Sequence, residues 1–306
     1  MKWAAILLQI CVILLGPWLL PGIINRVKAW WGGRRGPPLL QPMWDARRLL
    51  RKHAIYSIVT SEIFRIAPLV IVASSLIAAL IAPVVPGFAL VSFNNDFVYF
   101  AYLLALGRVF LMLAALDTGS AFEGMGAARE ATFSAFLEPA FFLAIGSLAL
   151  ATGHGSFANL MRARGPEGVF VTALCAAVLF IALQIESARL PVDDPSTHLE
   201  LTMIHEVMIL DTSGPDLALL QYAAGLKLCI FAGLIAALLN PFALDQHVGL
   251  CVTAGILLLI GVAVTVGCVE SLVARFKMRL IPQYALLAVG FGLLALLLSS
   301  WRSELI

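Results

Sequence analysis

Residues 249–269 read GLCVTAGILLLIGVAVTVGCV, a run of 21 residues without a charged side chain. The hydrocarbon core of a bilayer is about 30 Å thick, and a helix of about 20 apolar residues spans it. A soluble helix of this length would interrupt such a run with polar residues on its water-facing side. The stretch therefore predicts a transmembrane helix.

Seven other apolar runs of similar length occur along the chain, and together they predict an all-α integral membrane protein with about eight transmembrane helices. The predicted spans are residues 3–25, 64–83, 97–116, 133–152, 168–185, 217–240, 249–269 and 280–300. The composition agrees, because 61% of the residues are hydrophobic and only 12% are charged, against about 25% charged in soluble domains. With no internal repeat or flexible linker, residues 1–306 are treated as one polytopic membrane domain.

The basic residues divide unequally between the two sets of loops. The odd-numbered loops and their flanks carry nearly all of them, whereas the even-numbered loops contain only Arg162 and Arg164. Because cytoplasmic loops of membrane proteins are enriched in Lys and Arg, we expect the odd loops in the cytoplasm and the N-terminus outside. The first span is longer than a signal-peptide core and lacks a small-residue cleavage site, so it is read as a helix.

The first loop begins with a Gly- and Pro-rich segment, GGRRGPPLLQP over residues 32–42, and continues as MWDARRLLRK over 43–52. Apolar and basic residues then alternate at helical spacing, which predicts a basic amphipathic helix lying on the membrane surface. Two roles are open for it, an anchor to anionic lipid and a docking surface for a partner protein. The candidate docking residues are Arg34, Arg35, Gln41, Arg47, Arg48 and Arg51.

Three charged residues lie well inside predicted spans, away from their ends: Arg108, Glu138 and Lys227. A charge at the bilayer centre costs at least about 2.5 kcal/mol, so such residues normally face the bundle interior and pair with one another. We expect Glu138 to be buried, and Arg108 and Lys227 to find carboxylates, with Glu138 and Glu186 as candidates. The simpler alternatives are a structural carboxylate beside Pro139 and basic side chains that reach the membrane surface.

The fifth loop is acidic, since seven of the chain's 18 carboxylates lie between Glu186 and Asp216. Helical spacing of apolar residues after Pro195 predicts a short helix in this loop. If that helix packs on the bundle, the carboxylates share a poorly hydrated site, and their mutual repulsion raises some of their pKa values toward neutrality. If the loop is hydrated instead, the cluster is only an acidic surface. The candidate ion-pathway residues are Glu123, Glu130, Glu138, Glu186, Asp193, Asp194, Glu200 and Glu206, with Arg108, Lys227 and His205 tuning them.

Several chemistries lack their motifs in this chain. His205-Glu206-Val207-Met208-Ile209 has Ile where a zinc protease needs a second His, and no phosphate-binding Gly-rich loop with Lys-Ser/Thr is present. The five cysteines form no Cys-x-x-Cys pair, which argues against a disulfide framework or an iron-sulfur site. We therefore predict no catalytic residue, no metal, no cofactor bound by this chain and no nucleic-acid partner.

Four motifs together resemble a known family, the respiratory-chain NADH dehydrogenase subunit 1 family of complex I, with its relatives in membrane-bound group 4 nickel-iron hydrogenases and formate hydrogenlyase. The likeness is greatest to the hydrogenase-4 component C branch and extends over nearly the whole chain. The motifs are LLQP after Gly-Pro-Pro (39–42), GAARE (126–130), Glu138-Pro139, and Glu186 followed by RLPVD (189–193).

The resemblance implies a non-catalytic subunit of an oxidoreductase complex in the bacterial cytoplasmic membrane. Its expected partners are hydrophilic iron-sulfur and hydrogenase-like subunits on the cytoplasmic side, antiporter-like membrane subunits and the bilayer. Iron-sulfur clusters, and in the hydrogenase branch a nickel-iron site, would reside in those partners. Glu138, Glu186 and Asp193 match acidic positions of the family's ion path, and residues 34–42 match the segment that docks the hydrophilic arm.

One departure from the family pattern is informative. Complex I members usually read Pro-Phe-Asp-Leu followed by a run of Glu, whereas residues 191–200 here read PVDDPSTHLE. This favours a hydrogenase-like, quinone-independent complex. The leading hypothesis is an ion-translocating coupling subunit. The alternatives are a stand-alone secondary ion transporter, which usually shows inverted repeats that are not evident here, and a purely structural membrane anchor.

Overall fold

The computed structural model describes residues 2–161, 168–193, 203–242 and 248–303, with side chains described from residue 5 to residue 301 of those ranges. The predicted Asp194, Glu200 and the stretch from Pro195 to Thr202 lie outside them, as do Arg162 and Arg164. Within the described ranges the α-helices are α1 (Lys2–Trp31), α2 (Gln41–Leu49), α3 (Glu62–Ile81), α4 (Asp96–Asp117), α5 (Ala121–Thr152), α6 (Phe157–Leu160), α7 (Val169–Glu186), α8 (His205–Met208), α9 (Gly214–Leu239), α10 (Val248–Leu272) and α11 (Ile281–Ser303), and a 3-10 turn, Met278–Leu280, precedes α11.

Eight of these helices, α1, α3, α4, α5, α7, α9, α10 and α11, are long and apolar enough to cross a bilayer. The predicted fold is therefore confirmed: the chain is a multi-pass, all-α membrane protein. The loops that follow α1, α4, α7 and α10 lie at one end of the bundle. This end is called the basic end below, because it carries Arg34, Arg35, Arg275 and Lys277.

Helix α9 forms the centre of the bundle, and α1, α3, α7 and α10 pack around it. In the apolar membrane-spanning stretch of α9, 83% of the residues are buried inside the protein, compared with 28% in the corresponding stretch of the peripheral α11. Gly225 permits the close approach of α1, because a Cβ there would lie 2.4 Å from the backbone oxygen of Pro17. The burial of α9 explains how a polar residue such as Lys227 can be placed away from lipid.

Helix α5 is longer than the sequence indicates. The predicted span covers residues 133–152, but the helix starts at Ala121 and has 32 residues, about 48 Å at 1.5 Å per residue. The polar character of segment 121–132 favours a loop, yet the segment is rich in Ala, the best helix former. It carries Glu123, Arg129 and Glu130 into contacts at the basic end.

The predicted surface helix is confirmed, whereas the helix predicted after Pro195 is matched, among the described residues, only by a four-residue helix that starts at His205, with Met203 and Ile204 outside it. The surface helix α2 packs against α1 and α9 and buries Ala46, while Trp44, Met43 and Leu50 stay exposed. Its apolar face is thus only partly covered by the described part of this chain. In the described part of the fifth loop, the short helix α8 begins at His205. It packs against α5 at Gly126, where a Cβ would meet Val207 at 2.4 Å.

Candidate functional site

Four charged side chains from four helices meet inside the bundle: Arg108, Glu138, Glu186 and Lys227, called the inner cluster below. Arg108 contacts Glu138 at 2.5 Å and Glu186 at 3.0 Å, and Lys227 contacts the second oxygen of Glu186 at 3.1 Å. Arg108, Glu186 and Lys227 are buried. The predicted pairing of the two membrane cations with Glu138 and Glu186 is confirmed, and neither cation reaches the membrane surface instead.

The predicted burial of Glu138 is wrong. Its side chain is 45% exposed, because it sits at the edge of α5 where no helix of the described ranges covers it fully. The bonded Arg108, at 4% exposure, lies behind it. The inner cluster therefore has one carboxylate on the outer face of the protein, where a charge would meet lipid unless another subunit covers it.

Glu130 adds a third carboxylate to this region. It is buried about two and a half turns into α5 and interacts electrostatically with Glu186, Arg108 and Lys227. Three carboxylates and two cations carry a formal net charge of −1 when all are ionised. Because a net charge in a poorly hydrated site is costly, binding one proton relieves that cost. The composition of the site thus suits it to hold a single transferable proton.

A second group of charges, called the outer cluster below, lies at the basic end and contains Lys28, Arg189, Asp193, Glu270 and Arg275. Two cations flank Glu270, with Lys28 at 2.9 Å and Arg189 at 3.6 Å. Asp193 is bound by Arg275 at 2.8 Å. These contacts tie α1 and α10 to the segment that follows α7.

Asp193 also orients α8. Its Oδ2 accepts hydrogen bonds from the backbone N–H groups of Ile204, at 3.1 Å, and His205, at 2.9 Å. Arg129 holds the preceding turn by donating to the carbonyl oxygen of Met203 at 2.7 Å. A carboxylate accepting from the first N–H groups of a helix is a favourable cap. The short α8 is consequently fixed in place by side chains rather than by its own length.

A cavity of about 620 Å³ opens among α1, α2, α9 and the segment around α8. Its charged and titratable lining includes Lys28, Asp45, Arg189, His205 and Glu206. Burial raises the pKa of Glu206 to about 7; Asp193 adds to this, and Arg189 opposes it. Burial, assisted by the nearby Lys227, lowers the pKa of His205 to about 4. Glu206 therefore exchanges protons near neutral pH while His205 stays uncharged.

Two small cavities lie between charged residues deeper in the protein. One of about 10 Å³ is lined by Glu130, Asp193 and His205, and one of about 20 Å³ by Arg108, Glu138 and Glu186. Each has roughly the room that one water molecule needs. His205 lines both the large cavity and the first small one. The two small cavities share no lining residue, and the electrostatic interaction of Glu130 with Glu186 and Arg108 bridges the gap between them.

The remaining predicted residues separate into two places. Glu123 is buried but lies about two turns before Glu130, where its Oε1 accepts from the backbone N–H of Asp211 at 3.2 Å; it is not part of the inner cluster. Gln41 bonds Asp45 at 2.9 Å and lines the large cavity, so it faces inward. The exposed docking candidates are Arg34, Arg35, Arg47, Arg48 and Arg51.

Sequence reasoning missed Glu270. It directly follows the apolar stretch 249–269, and its side chain is fully buried between Lys28 and Arg189. The signal that could have found it was its negative charge. An acidic residue at a helix end among basic loops is expected to pair with a cation. Among the residues that the structure describes, no three His, Cys, Asp or Glu side chains are placed to hold a metal ion.

Comparison with known proteins agrees with this architecture. A family model described as NADH dehydrogenase matches residues 4–300. Hydrogenase-4 component C of Escherichia coli K12 is 31% identical, covering 98% of this chain and 96% of that protein. Formate hydrogenlyase subunit 4 of the same organism is 28% identical, with coverages of 94% and 96%.

More distant relatives extend the likeness. A subunit of the NADH-quinone oxidoreductase of Rickettsia canadensis is 28% identical over 57% of this chain and 54% of that protein. A chain in the solved structure of the membrane-bound sulfane sulfur reductase, an archaeal respiratory membrane complex, superposes with a TM-score of 0.79. It is 19% identical over 96% of this chain and 98% of that one, which shows a shared fold. By the family match over nearly its whole length, the chain belongs to the NADH dehydrogenase family.

Proposed function

We propose that this protein is the membrane-anchoring, ion-translocating coupling subunit of a multi-subunit redox complex, with protons as the ion it is built to carry. The observation that carries the proposal is the series of carboxylates and water-sized cavities from Glu206 to Glu138. A purely structural anchor needs neither buried charges nor open space beside them, and both are costly in a membrane protein.

The series supports movement of a proton in short steps. Glu206 takes up a proton at the large cavity, since its pKa of about 7 matches the surrounding solution. The neutral His205 lies between this cavity and the smaller one beside Glu130 and Asp193. Glu130 and Glu186 then relay the proton within the bundle, and Arg108 positions Glu138 to receive it.

The exposed position of Glu138 supports a neighbouring membrane subunit as the next acceptor. A half-exposed carboxylate bonded to a buried arginine would face hydrocarbon if the chain worked alone. A polar group from an antiporter-like partner would cover it. This is also an argument against the stand-alone transporter, because a transporter would enclose its own ion path.

We further propose that the basic end faces the cytoplasm and docks hydrophilic iron-sulfur and hydrogenase-like subunits, which hold the redox cofactors. The excess of Lys and Arg in these loops favours that orientation. The two relatives from Escherichia coli support a bacterial cytoplasmic membrane. The exposed Arg34, Arg35, Arg47, Arg48 and Arg51 form the candidate contact surface. The relatives named as a component of hydrogenase-4 and a subunit of formate hydrogenlyase support a complex of this kind.

Two experiments separate the proposal from its alternatives. The tagged chain is expressed in its native host, purified in mild detergent, and its associated proteins are identified by mass spectrometry. We expect iron-sulfur and hydrogenase-like subunits together with an antiporter-like membrane protein. The lone chain is then reconstituted in liposomes, where we expect no ion uptake. Recovery of a stable lone chain that takes up ions would overturn the coupling role in favour of a transporter.

A further inference from the structure

Glu270 is a fully shielded carboxylate at the basic end. Its side chain is 0% exposed, and it lies at the end of α10 between Lys28 of α1 at 2.9 Å and Arg189 at 3.6 Å. Lys28 is 28% exposed and Arg189 13% exposed, so the two cations reach the cavity while the anion does not. A buried carboxylate is stable only with such cationic partners, and here each of its oxygens forms an ion pair with one of them.

Arg189 occupies a turn that leads directly to Asp193. Its backbone oxygen accepts from the N–H groups of Val192, at 3.0 Å, and Asp193, at 3.2 Å. Pro191 in the same turn accepts from the N–H of Phe276 at 2.9 Å. If the Arg189 side chain lost its attachment to α10, this turn would lose one of its fixed points. The next fixed group in the chain is Asp193, which caps α8.

Arg189 also lies within electrostatic range of Glu206, whose carboxyl group takes part in the same cavity lining. The side chain therefore has two anions near it, one buried and one at the open space of the cavity. Attachment to Glu270 at 3.6 Å keeps its charge on the wall of the cavity. Without Glu270, Arg189 has Glu206 as the nearby carboxylate on that wall.

We propose that Glu270 is a positioning residue: it holds Arg189 on the cavity wall, and through Arg189 it fixes the turn that carries Asp193 and the charge that faces Glu206. Its effect on the turn stands by itself, and its effect on ion movement rests on the proposed function. Glu270 touches no transported ion in this assignment and acts through the two cations beside it.

The pH dependence of Glu206 is set by groups from several elements. Asp193 and Arg189 interact with it directly. The other charged or titratable groups on the described lining of its cavity are Lys28 from α1, Asp45 from α2 and His205 from α8. Lys28 and Arg189 lose their buried anion when Glu270 is neutralised. Their positive charges are then less compensated, and both favour the ionised form of Glu206.

The test uses the intact complex carrying Glu270→Gln or Arg189→Gln. Both variants remove the same ion pair, while Arg189→Gln leaves Glu270 paired with Lys28, so that variant keeps its buried charge compensated. Glu62→Gln is the matched control, because it neutralises a carboxylate that is 74% exposed and paired with the neighbouring Arg65. The first readout is amide hydrogen exchange of segments 188–193 and 203–208 by mass spectrometry. We expect exchange to accelerate about tenfold in both variants and to be unchanged in the control.

The second readout is the pH midpoint of ion uptake by the reconstituted complex. Glu270→Gln leaves the positive charges of Lys28 and Arg189 uncompensated on the cavity wall and shifts the midpoint about one pH unit toward acid; Arg189→Gln removes a positive charge that acts on Glu206 and shifts it toward alkali. A general loosening of the structure would move both variants in one direction. Unchanged amide exchange in Arg189→Gln, or shifts of equal sign, would overturn the positioning role, even if Glu270→Gln fails to assemble.

The two readouts also separate this inference from the proposed function. Amide exchange does not depend on ion transport. Faster exchange in both variants with unaltered ion uptake would support the positioning role of Glu270 for the turn and would remove Glu206 from the ion path.

Discussion

The inner and outer clusters are built on the same plan but in different surroundings. In each, two cations flank one buried carboxylate: Arg108 and Lys227 flank Glu186, and Lys28 and Arg189 flank Glu270. The inner cluster is closed in by aromatic and aliphatic side chains around a space of about 20 Å³. The outer one borders a cavity of about 620 Å³.

The two clusters differ in how well water or another charged group can replace an ion-pair partner that has been removed. A charge left alone in the inner cluster has little room for water, so it retains most of its desolvation cost. A cation left alone in the outer cluster can hydrate at the cavity or approach Glu206. The same ion-pair arrangement therefore stabilises the helix packing in the inner cluster, whereas in the outer cluster its cations can change partners.

The largest effect is expected from Glu186→Gln, which leaves Arg108 with Glu138 alone and Lys227 without its carboxylate. Breaking a buried ion pair by removing one partner costs about 3–5 kcal/mol. We expect a strong loss of assembled complex and of thermal stability, measured by yield and by Tm in detergent. Adding Lys227→Met should recover part of both losses. A single variant as stable as the wild type would contradict the account of the inner cluster.

A smaller effect is expected from Arg275→Met in the outer cluster. Asp193 keeps its two hydrogen bonds from the backbone of Ile204 and His205, so the loss is that of one charge-assisted contact, about 1.5–3 kcal/mol. The complex should assemble, with a Tm lower by a few degrees and ion uptake per electron reduced severalfold. If Arg275→Met lowers Tm as much as Glu186→Gln does, the contrast between the two clusters is wrong.

Glu206→Gln tests the pH dependence of the outer region. Its pKa is raised from 4.5 to about 7, so the folded state binds this proton more tightly than the unfolded state. The resulting stabilisation is complete below about pH 4.5 and is lost as the pH rises to about 7. The variant should show a flatter dependence of Tm on pH between about 5 and 8, measured by thermal unfolding. An unchanged slope would mean that Glu206 does not titrate in this window.

The smallest effect on the fold is expected from the double substitution of Arg34 and Arg35 by Ser. Both residues are exposed, and surface substitutions usually change stability by less than about 0.5 kcal/mol. Their proposed role is contact with the hydrophilic subunits. Detachment of those subunits at lower salt than in the wild type, measured by size-exclusion chromatography, is the expected result. Equal salt resistance would remove the two arginines from the docking surface.

The sequence was sufficient for the spans and for the pairing in the inner cluster. Apolar run length alone located eight helices, and the high cost of a membrane charge required Arg108 and Lys227 to find Glu138 and Glu186. These inferences succeed because the bilayer leaves few alternatives. Helical spacing of apolar residues, a weaker signal, predicted the helix after α1 and a short helix in the fifth loop, of which the described residues contain only His205–Met208.

Three features could not be predicted to the same extent: the exposure of Glu138, the early start of α5 and the burial of Glu270. Hydropathy indicates that Glu138 lies within the thickness of the bilayer, but it does not show which side of the helix other helices cover. The exposure of this residue could therefore not be predicted from the sequence. The early start of α5 was hidden by the polar residues of segment 121–132, whose partners lie far away in the sequence. Glu270 was overlooked because its partners, Lys28 and Arg189, are 242 and 81 residues distant.

The passage of ions along the carboxylate series to Glu138 is tested by Glu138→Gln in the purified complex reconstituted in liposomes. Proton uptake is measured per electron transferred, with Glu62→Gln as an exposed-carboxylate control. Because Glu138 is 45% exposed, we expect normal assembly and electron transfer with at least a tenfold loss of coupled uptake. Normal uptake in the assembled variant would contradict the passage of ions to Glu138.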